Sequence, residues 1–382
     1  MNSLRGNRLL KVFDFYAGAI LILVIFVFTR RKIALPGPYK RILIIKLAAV
    51  GDTVLLVPLL RSVHRNFPKA FVAVVGTTIN REIVSWFPSY VNRFFDFRVR
   101  KAAANPLYFA RFIRDLRSQD FDLVLDAEQW SFITPIICRL ARIPTRVGFR
   151  IYRPVRHLLY NRICVRQKDL HESRNFLGLL SAIGIEEDDR RLELPVDAAS
   201  SRRVQRVLRQ SGWKKSRKLV VVHPGCGVHG FPREWPLESY QQLCRRLSAS
   251  FPLFFVITGS TGEERLKAGI VATVPANSVG WDDPDLASLV ALVSTADLLI
   301  SGNNGIMHIG AALGKRQIVL DGPNDTRKWG PLNRRATIIR STCPGCPCLD
   351  LGFEYHRTDG FCMKQISVEE VFDSASKILK TR

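Results

Sequence analysis

From about residue 41 onward, short unbroken apolar runs alternate with longer stretches whose apolar residues recur at helical spacing. The run 41-RILIIKL-47 has the character of a parallel strand buried on both faces, and it leads through 48-AAVGD-52 into a helix carrying Val54, Leu55, Pro58, Leu59 and Val63. A strand at 70–76, helix 79–86, a short strand at 93–97, helix 107–118, strand 121–126 and helix 131–141 follow. The polar passage 186-EEDDRRLELPVDAASSRR-203 and a linking helix to Gln210 separate this series from a second one, which starts at 218-KLVVVHP-224. Its elements are helix 237–248, strand 253–259, helices 262–271 and 284–294, strand 297–301, helix 304–313 and strand 317–320. The alternation predicts an α/β protein with two doubly wound sheets in tandem. Residues 40–200 and 215–365 are expected as two Rossmann-like domains facing each other across a cleft, with 366–382 as a helix that packs back across them.

Ahead of the first strand, 12-VFDFYAGAILILVIFVF-28 is apolar on every face from residue 17 and carries Asp14 in its first turn. Arg5, Arg8 and Lys11 precede it and Arg30, Arg31 and Lys32 close it. The segment 1–35 reads as a membrane anchor, near the short limit for a spanning helix, that either crosses the bilayer or dips into one leaflet, with a buried core helix as the alternative. No small-residue cleavage site precedes the closing basic cluster, which argues against a signal peptide. Basic residues on both sides leave the orientation open. Because the segment lies outside both alternating series, its loss is expected to cost localisation and to leave the core intact.

Charge changes the picture further. Over 382 residues, 57 Lys and Arg stand against 33 Asp and Glu, a net +24 that implies an anionic partner such as nucleic acid, a membrane surface or a phosphorylated substrate. From Arg139 to Lys168 the chain holds Arg139, Arg142, Arg146, Arg150, Arg153, Arg156, Arg162, Arg166 and Lys168 without one acid, a field of one sign that reads as steering an anion. No nucleic-acid recognition module accompanies the charge, so phosphate on a lipid or glycan acceptor, or the membrane itself, is the expected partner. The eight cysteines are not spaced as the framework of a small secreted domain, so reduced thiols and a cytosol-facing body are expected. Cys343, Cys346, Cys348 and Cys362, with His356 between them, offer enough ligands for a structural zinc, although the cluster also stands without a metal.

Candidate chemistry gathers where the strands end, the edge at which open α/β sheets bind ligands. The first series places Lys46, Gly51 and Asp52 there, and the second places 223-HPGCGVHGFPREWP-236, 258-TGSTGEE-264 and 301-SGNNGIMH-308. The turn before helix 304–313 presents unpaired backbone N–H groups and the positive end of the helix dipole, a seat for phosphate. This ordered set, from about Arg41 to the carboxyl end, resembles glycosyltransferase family 9, the lipopolysaccharide heptosyltransferases, whose members have the GT-B fold.

The resemblance implies an inverting, metal-independent enzyme without a cofactor, moving a sugar from a nucleotide donor, ADP-heptose above all, to a lipopolysaccharide-core or other lipid-linked acceptor. It further implies a body on the cytoplasmic side of a bacterial inner membrane. Within it, Asp52 corresponds to the general base, supported by Lys46 and Gly51. Gly225 belongs to the His-Pro-Gly turn, and Arg233 stands where Lys is usual and would neutralise the leaving diphosphate. Glu263 matches the acid that binds the donor's ribose. The family's Asp-(Ser/Thr)-Gly-x-x-His signature appears with Asn303 and Asn304 in its first two places and with Gly305 and His308 retained, which opens the donor sugar to question. Two further readings are another nucleotide-sugar donor and a non-catalytic nucleotide- or glycan-binding membrane protein.

Overall fold

The computed structural model describes residues 8–28, 37–151, 155–227, 230–349 and 359–381. Arg5, Arg30, Arg31, Lys32, Arg153 and His356, all singled out above, lie outside the described residues.

The first sheet consists of β1 (Arg41–Ile45), β2 (Phe71–Gly76), β3 (Arg93–Asp96), β4 (Leu123–Asp126), β5 (Thr145–Arg150) and β6 (Arg162–Val165). The second consists of β7 (Lys218–His223), β8 (Leu253–Ile257), β9 (Ser278–Gly280), β10 (Leu298–Gly302), β11 (Gln317–Asp321) and β12 (Ala336–Arg340). Their orders are β3-β2-β1-β4-β5-β6 and β12-β11-β10-β7-β8-β9, with every neighbouring pair parallel. Counted from its own first strand, each sheet therefore has the same doubly wound order, which reverses between its first and fourth strands. At that reversal successive crossovers leave to opposite faces and their loops diverge, opening a crevice at the carboxyl edge. Ile45 pairs with Asp126 and Ser301 with His223, so the loops after β1 and β4 emerge side by side, as do those after β7 and β10.

The chain divides into two compact units between Arg190 and Arg191, within the polar passage 186–203 and ahead of the linking helix. Helix Ala198–Gln210, expected as a linker, packs against helix Leu286–Thr295 of the second unit. The terminal helix Val368–Lys380, expected to pack back across both domains, is seated on the second sheet, where Val371, Ala375 and Leu379 join the core around Val220, Leu247 and Ile318.

The N-terminal helix Arg8–Phe28 corrects a larger expectation. No helix among the described residues is long and apolar enough to cross a membrane. One face of this helix belongs to the first unit. Ile22 is buried against Phe132, Ile136 and Leu159, and Asp14 accepts the backbone N–H groups of Phe132 and Ile133 at 2.8 and 3.0 Å. Those are orphan donors at the start of helix Ile133–Leu140, which has no capping side chain of its own. The acid in the apolar run is thus a helix cap supplied from a distance. The opposite face leaves Phe13, Tyr16, Ile20, Val24, Val27 and Phe28 exposed.

The field of one sign is also smaller than its sequence suggests. Arg156 is wholly buried, donating to Asp126 at 3.2 Å and to backbone carbonyls including that of Ser131 at 2.8 Å. Arg146 is buried against the carbonyls of Ile143 and Leu159, and Arg166 pairs with buried Glu172. These three are internal staples, and the acids that pair with Arg156 and Arg166 come from outside the run. Arg142, Arg150, Arg162 and Lys168 are exposed.

Candidate active site

In the first unit the reversal of strand order brings together groups from two loops. Lys46, directly after β1, is 1% exposed, and its ammonium lies 3.2 Å from Asp52 Oδ2, 3.2 Å from both oxygens of Glu128 and 2.9 Å from Gln129 Oε1. Those three directions use all three of its donors. Glu128 and Gln129 sit in the loop after β4, and Gln129 in turn donates to Glu172 at 3.1 Å. Glu128 also accepts the Leu47 N–H at 3.2 Å. Burial pushes the Glu128 carboxyl up, Lys46 pulls it down, and the neighbouring Asp52 charge pushes it up again. One lysine therefore serves two carboxylates.

Asp52 retains 8% of its surface, against 1% for Lys46 and 0% for Glu128, so it is the acid of this group that solvent reaches. It stands in the first turn of helix Val50–Asn66, beside buried Gly51, where the helix dipole favours its charge. Ala49, not Asp52, occupies the N-cap position. Thr53 donates to the Ala49 carbonyl at 2.8 Å and receives the Asn80 amide at 2.7 Å, which holds the turn in place.

In the second unit Gly225, Arg233, Glu263, Asn303 and Asn304 form one cluster. Arg233 donates to the carbonyls of Cys226 at 3.1 Å and Asn303 at 3.4 Å, tying the loop after β7 to the loop after β10. Asn304 caps helix Gly305–Ala312 through the Met307 N–H and donates to the Gly225 carbonyl at 2.8 Å. Glu263 commits its two oxygens to the N–H groups of Gly227 at 2.7 Å and Ser260 at 2.6 Å, so it ties the loop after β7 to the loop after β8. A Cβ on Gly225 would fall 2.0 Å from the Glu263 carboxyl carbon, so only glycine passes there.

A cavity of about 410 Å³ opens at the ends of β7, β8 and β9, lined by His223, Thr258, Ser260, Glu264, Trp281 and Asp285 among others. Of the neighbouring acids Glu263 and Glu264, the second lines it, together with Asp282, Asp283 and Asp285, while Glu263 is buried. His223 meets Thr258 Oγ1 at 2.8 Å, and burial pushes its imidazole below the usual value, with Glu263 opposing. His308 is buried on helix Gly305–Ala312.

Sequence reasoning missed Glu128, Gln129, Glu172 and Asp321. The first two follow a strand end at 121-FDLVLD-126 that carries no glycine-rich signal. Asp321 ends β11, is 1% exposed, and neither carboxyl oxygen has a hydrogen-bond partner of good geometry among the described residues. Burial pushes it up to about 7, with the Asn324 and Asn303 amides and the Arg340 and Arg233 charges opposing. The amide nitrogen of Asn303, beside that carboxyl, is likewise buried without a hydrogen bond of good geometry among the described residues.

Residues 109–355 match the family model described as glycosyltransferase family 9 (heptosyltransferase). The chain belongs to glycosyltransferase family 9. It is 24% identical over 312 residues to lipopolysaccharide heptosyltransferase 2 of Salmonella typhimurium, covering 78% of this chain and 88% of that one. Its fold is similar to the structure of E. coli ADP-heptose lps heptosyltransferase II, with TM-score 0.70 and 22% identity over 89% of this chain and 98% of the other. It is also similar to a family 9 glycosyltransferase of Veillonella parvula, with TM-score 0.72 and 17% identity over 92% and 99% of the two chains. As a member of this family the protein is a glycosyltransferase, with the two Rossmann-like units that its sequence predicts.

Proposed function

We propose that this glycosyltransferase moves heptose from ADP-heptose to a hydroxyl of a lipopolysaccharide core or another lipid-linked glycan, with inversion and without a metal or cofactor at the reacting atoms. The observation that carries the reading is the Asp52–Lys46–Glu128 group at the first sheet's reversal of strand order, because it sets one solvent-reached carboxylate against a buried ammonium. Asp52 accepts the proton of the acceptor hydroxyl while that oxygen attacks the anomeric carbon, and Lys46 and Gly51 keep the carboxylate in position. The bond from the anomeric carbon to the diphosphate breaks on the opposite side of that carbon, and the diphosphate leaves with the electron pair. Arg233, Gly225 and the amides at Asn303, Asn304 and Gly305 receive the growing charge, with His308 on the same helix.

The cavity beside Glu264 and Trp281 takes the nucleoside, and Glu263 shapes its wall. Asn303 favours a second reading, a different nucleotide sugar, since the usual acid is absent there. Asp321, whose buried carboxyl neighbours the Asn303 amide, keeps an acid beside that position and supports the heptose donor. The exposed apolar face of the N-terminal helix, with a net charge of +24, supports attachment to the cytoplasmic leaflet of an inner membrane.

Transfer assays over ADP-, GDP- and UDP-sugars with membrane extract as acceptor test this reading. Turnover with ADP-heptose alone is the expected result, and turnover confined to another donor overturns the donor assignment. Arg233→Ala is expected to lower transfer by a factor of roughly 30 to 1000, the cost of losing one charge-assisted contact to the leaving group. Arg233→Lys should recover much of that, since it restores charge without the planar fork. Wild-type kinetics for the alanine variant would remove Arg233 from the mechanism.

A further inference from the structure

Beyond β12 the chain enters 343-CPGC-346, where Cys346 N–H donates to the Cys343 carbonyl at 3.2 Å across Pro344 and Gly345. Gly345 has φ +84°, the value a type II turn requires at its third position, with proline favoured at its second. Such a turn puts the side chains of its first and last residues on one side. Cys362, on the short helix Phe361–Lys364, comes to the same point, and the sulfurs of Cys343, Cys346 and Cys362 all lie within 4.8 Å of one another. Cys348 is packed into the same cluster, and Cys343, Cys348 and Cys362 are buried.

All eight cysteines of the chain are free thiols. Thiolates about 3.8 Å apart form the edges of a tetrahedron around an ion at about 2.3 Å. A turn of the Cys-x-x-Cys kind joined to distant cysteines is the usual scaffold of such a structural site. The set contains no carboxylate, which selects a thiophilic ion over magnesium or calcium.

We propose that Cys343, Cys346, Cys348 and Cys362 bind one thiophilic transition-metal ion, zinc in the first instance, as a structural centre that braces the nucleotide-sugar site. The link to that site is short. Cys348 N–H and Leu349 N–H both donate to the Pro323 carbonyl at 2.9 Å, and Leu349 bridges to Asn324. Asn324 in turn stands beside Asp321, next to Asn303. The ion displaces thiol protons on binding and undergoes no redox step. It fixes the turn after β11 from behind and touches no reacting atom.

The test uses the full chain, purified under reducing conditions without a metal-affinity step. Elemental analysis is expected to find about one zinc per chain, and cobalt exchange should give the sulfur-to-metal charge-transfer absorption of a tetrahedral thiolate site. Cys362→Ser should lose at least nine-tenths of the metal, whereas Cys164→Ser, outside the cluster, should keep it. Should Cys362→Ser fail to fold, thiol counting on the wild type settles the matter, with four thiols expected to be shielded with metal and released by a chelator. One equivalent of iron lost with Cys362→Ser would support the same site. Absence of stoichiometric metal together with absence of the cobalt band, or a Cys346–Cys362 disulfide in freshly purified protein, overturns it. The bracing role rests on the nucleotide-sugar reading and is scored separately, as an expected loss of ADP affinity on chelation at unchanged fold. Metal retained without any effect on ADP would keep the site and remove the bracing.

Discussion

Asp52→Asn is expected to lower turnover by a factor of roughly 10² to 10⁴, the usual contribution of a positioned general base, while leaving donor affinity within a few-fold. The surrounding charges predict a second, less obvious result. With Asp52 neutral, Lys46 and Glu128 become a one-to-one buried pair, so the variant should be no less stable than wild type. Lys46→Met should behave in the opposite way. It strands Glu128 with no cation in a setting where its surface is 0% exposed, and breaking a buried pair of this kind costs about 3–5 kcal/mol. Chemical denaturation of both variants beside transfer assays checks the pair. A stable Lys46→Met protein, or Asp52→Asn turnover near wild type, would contradict the arrangement.

The second large effect concerns the N-terminal helix and separates its faces. Asp14→Ala leaves the Phe132 and Ile133 amides without their acceptors, and Ile22→Ala opens a hole against Phe132, Ile136 and Leu159. Losses of about 1–3 and 2–5 kcal/mol respectively are expected, with liposome binding unchanged in whatever remains folded. Serine at Phe13, Ile20 and Val27 together should leave stability nearly as it is and abolish binding to anionic liposomes, since those side chains are exposed. Deletion of residues 1–32 then removes both functions and is expected to aggregate. A soluble, fully stable deletion protein would return the helix to the role of a detachable anchor.

Asp14 also gives these experiments a pH dependence. Burial pushes its carboxyl from 3.8 up to about 6 despite the two amides. A raised acid binds more protons in the folded than in the unfolded state, so its contribution is full below the unfolded value and declines as pH rises through about 6. Relative to Asp14→Asn, the wild type should therefore gain stability between pH 7 and pH 4. An identical pH profile for the two proteins would remove Asp14 from that account.

Much of this architecture was legible because parallel strands buried on both faces leave continuous apolar runs, as in 41-RILIIKL-47 and 218-KLVVVHP-224. The strands that went unread had other patterns. β5 and β6 carry arginines in 145-TRVGFR-150 and 162-RICV-165, β9 has three residues, and β12 is an edge with an exposed middle. The site divides along the same line. Motif residues that precede or follow glycine turns, such as Asp52, Gly225 and Asn304, were visible, whereas Glu128 and Asp321 matter through neighbours far away in sequence. The basic run misled for a related reason: Asp126 and Glu172, which neutralise Arg156 and Arg166, lie outside it.

The cap that Asp14 supplies has a bearing on synthesis. Its partners lie 118 and 119 residues downstream, and Leu159, against which Ile22 packs, comes later still. At ordinary elongation rates the ribosome needs on the order of ten seconds to deliver them. Throughout that interval both faces of the helix are apolar and uncovered by the chain's own residues. Under the membrane attachment proposed above, lipid is offered to this segment before its protein seat exists, so attachment precedes completion of the first unit.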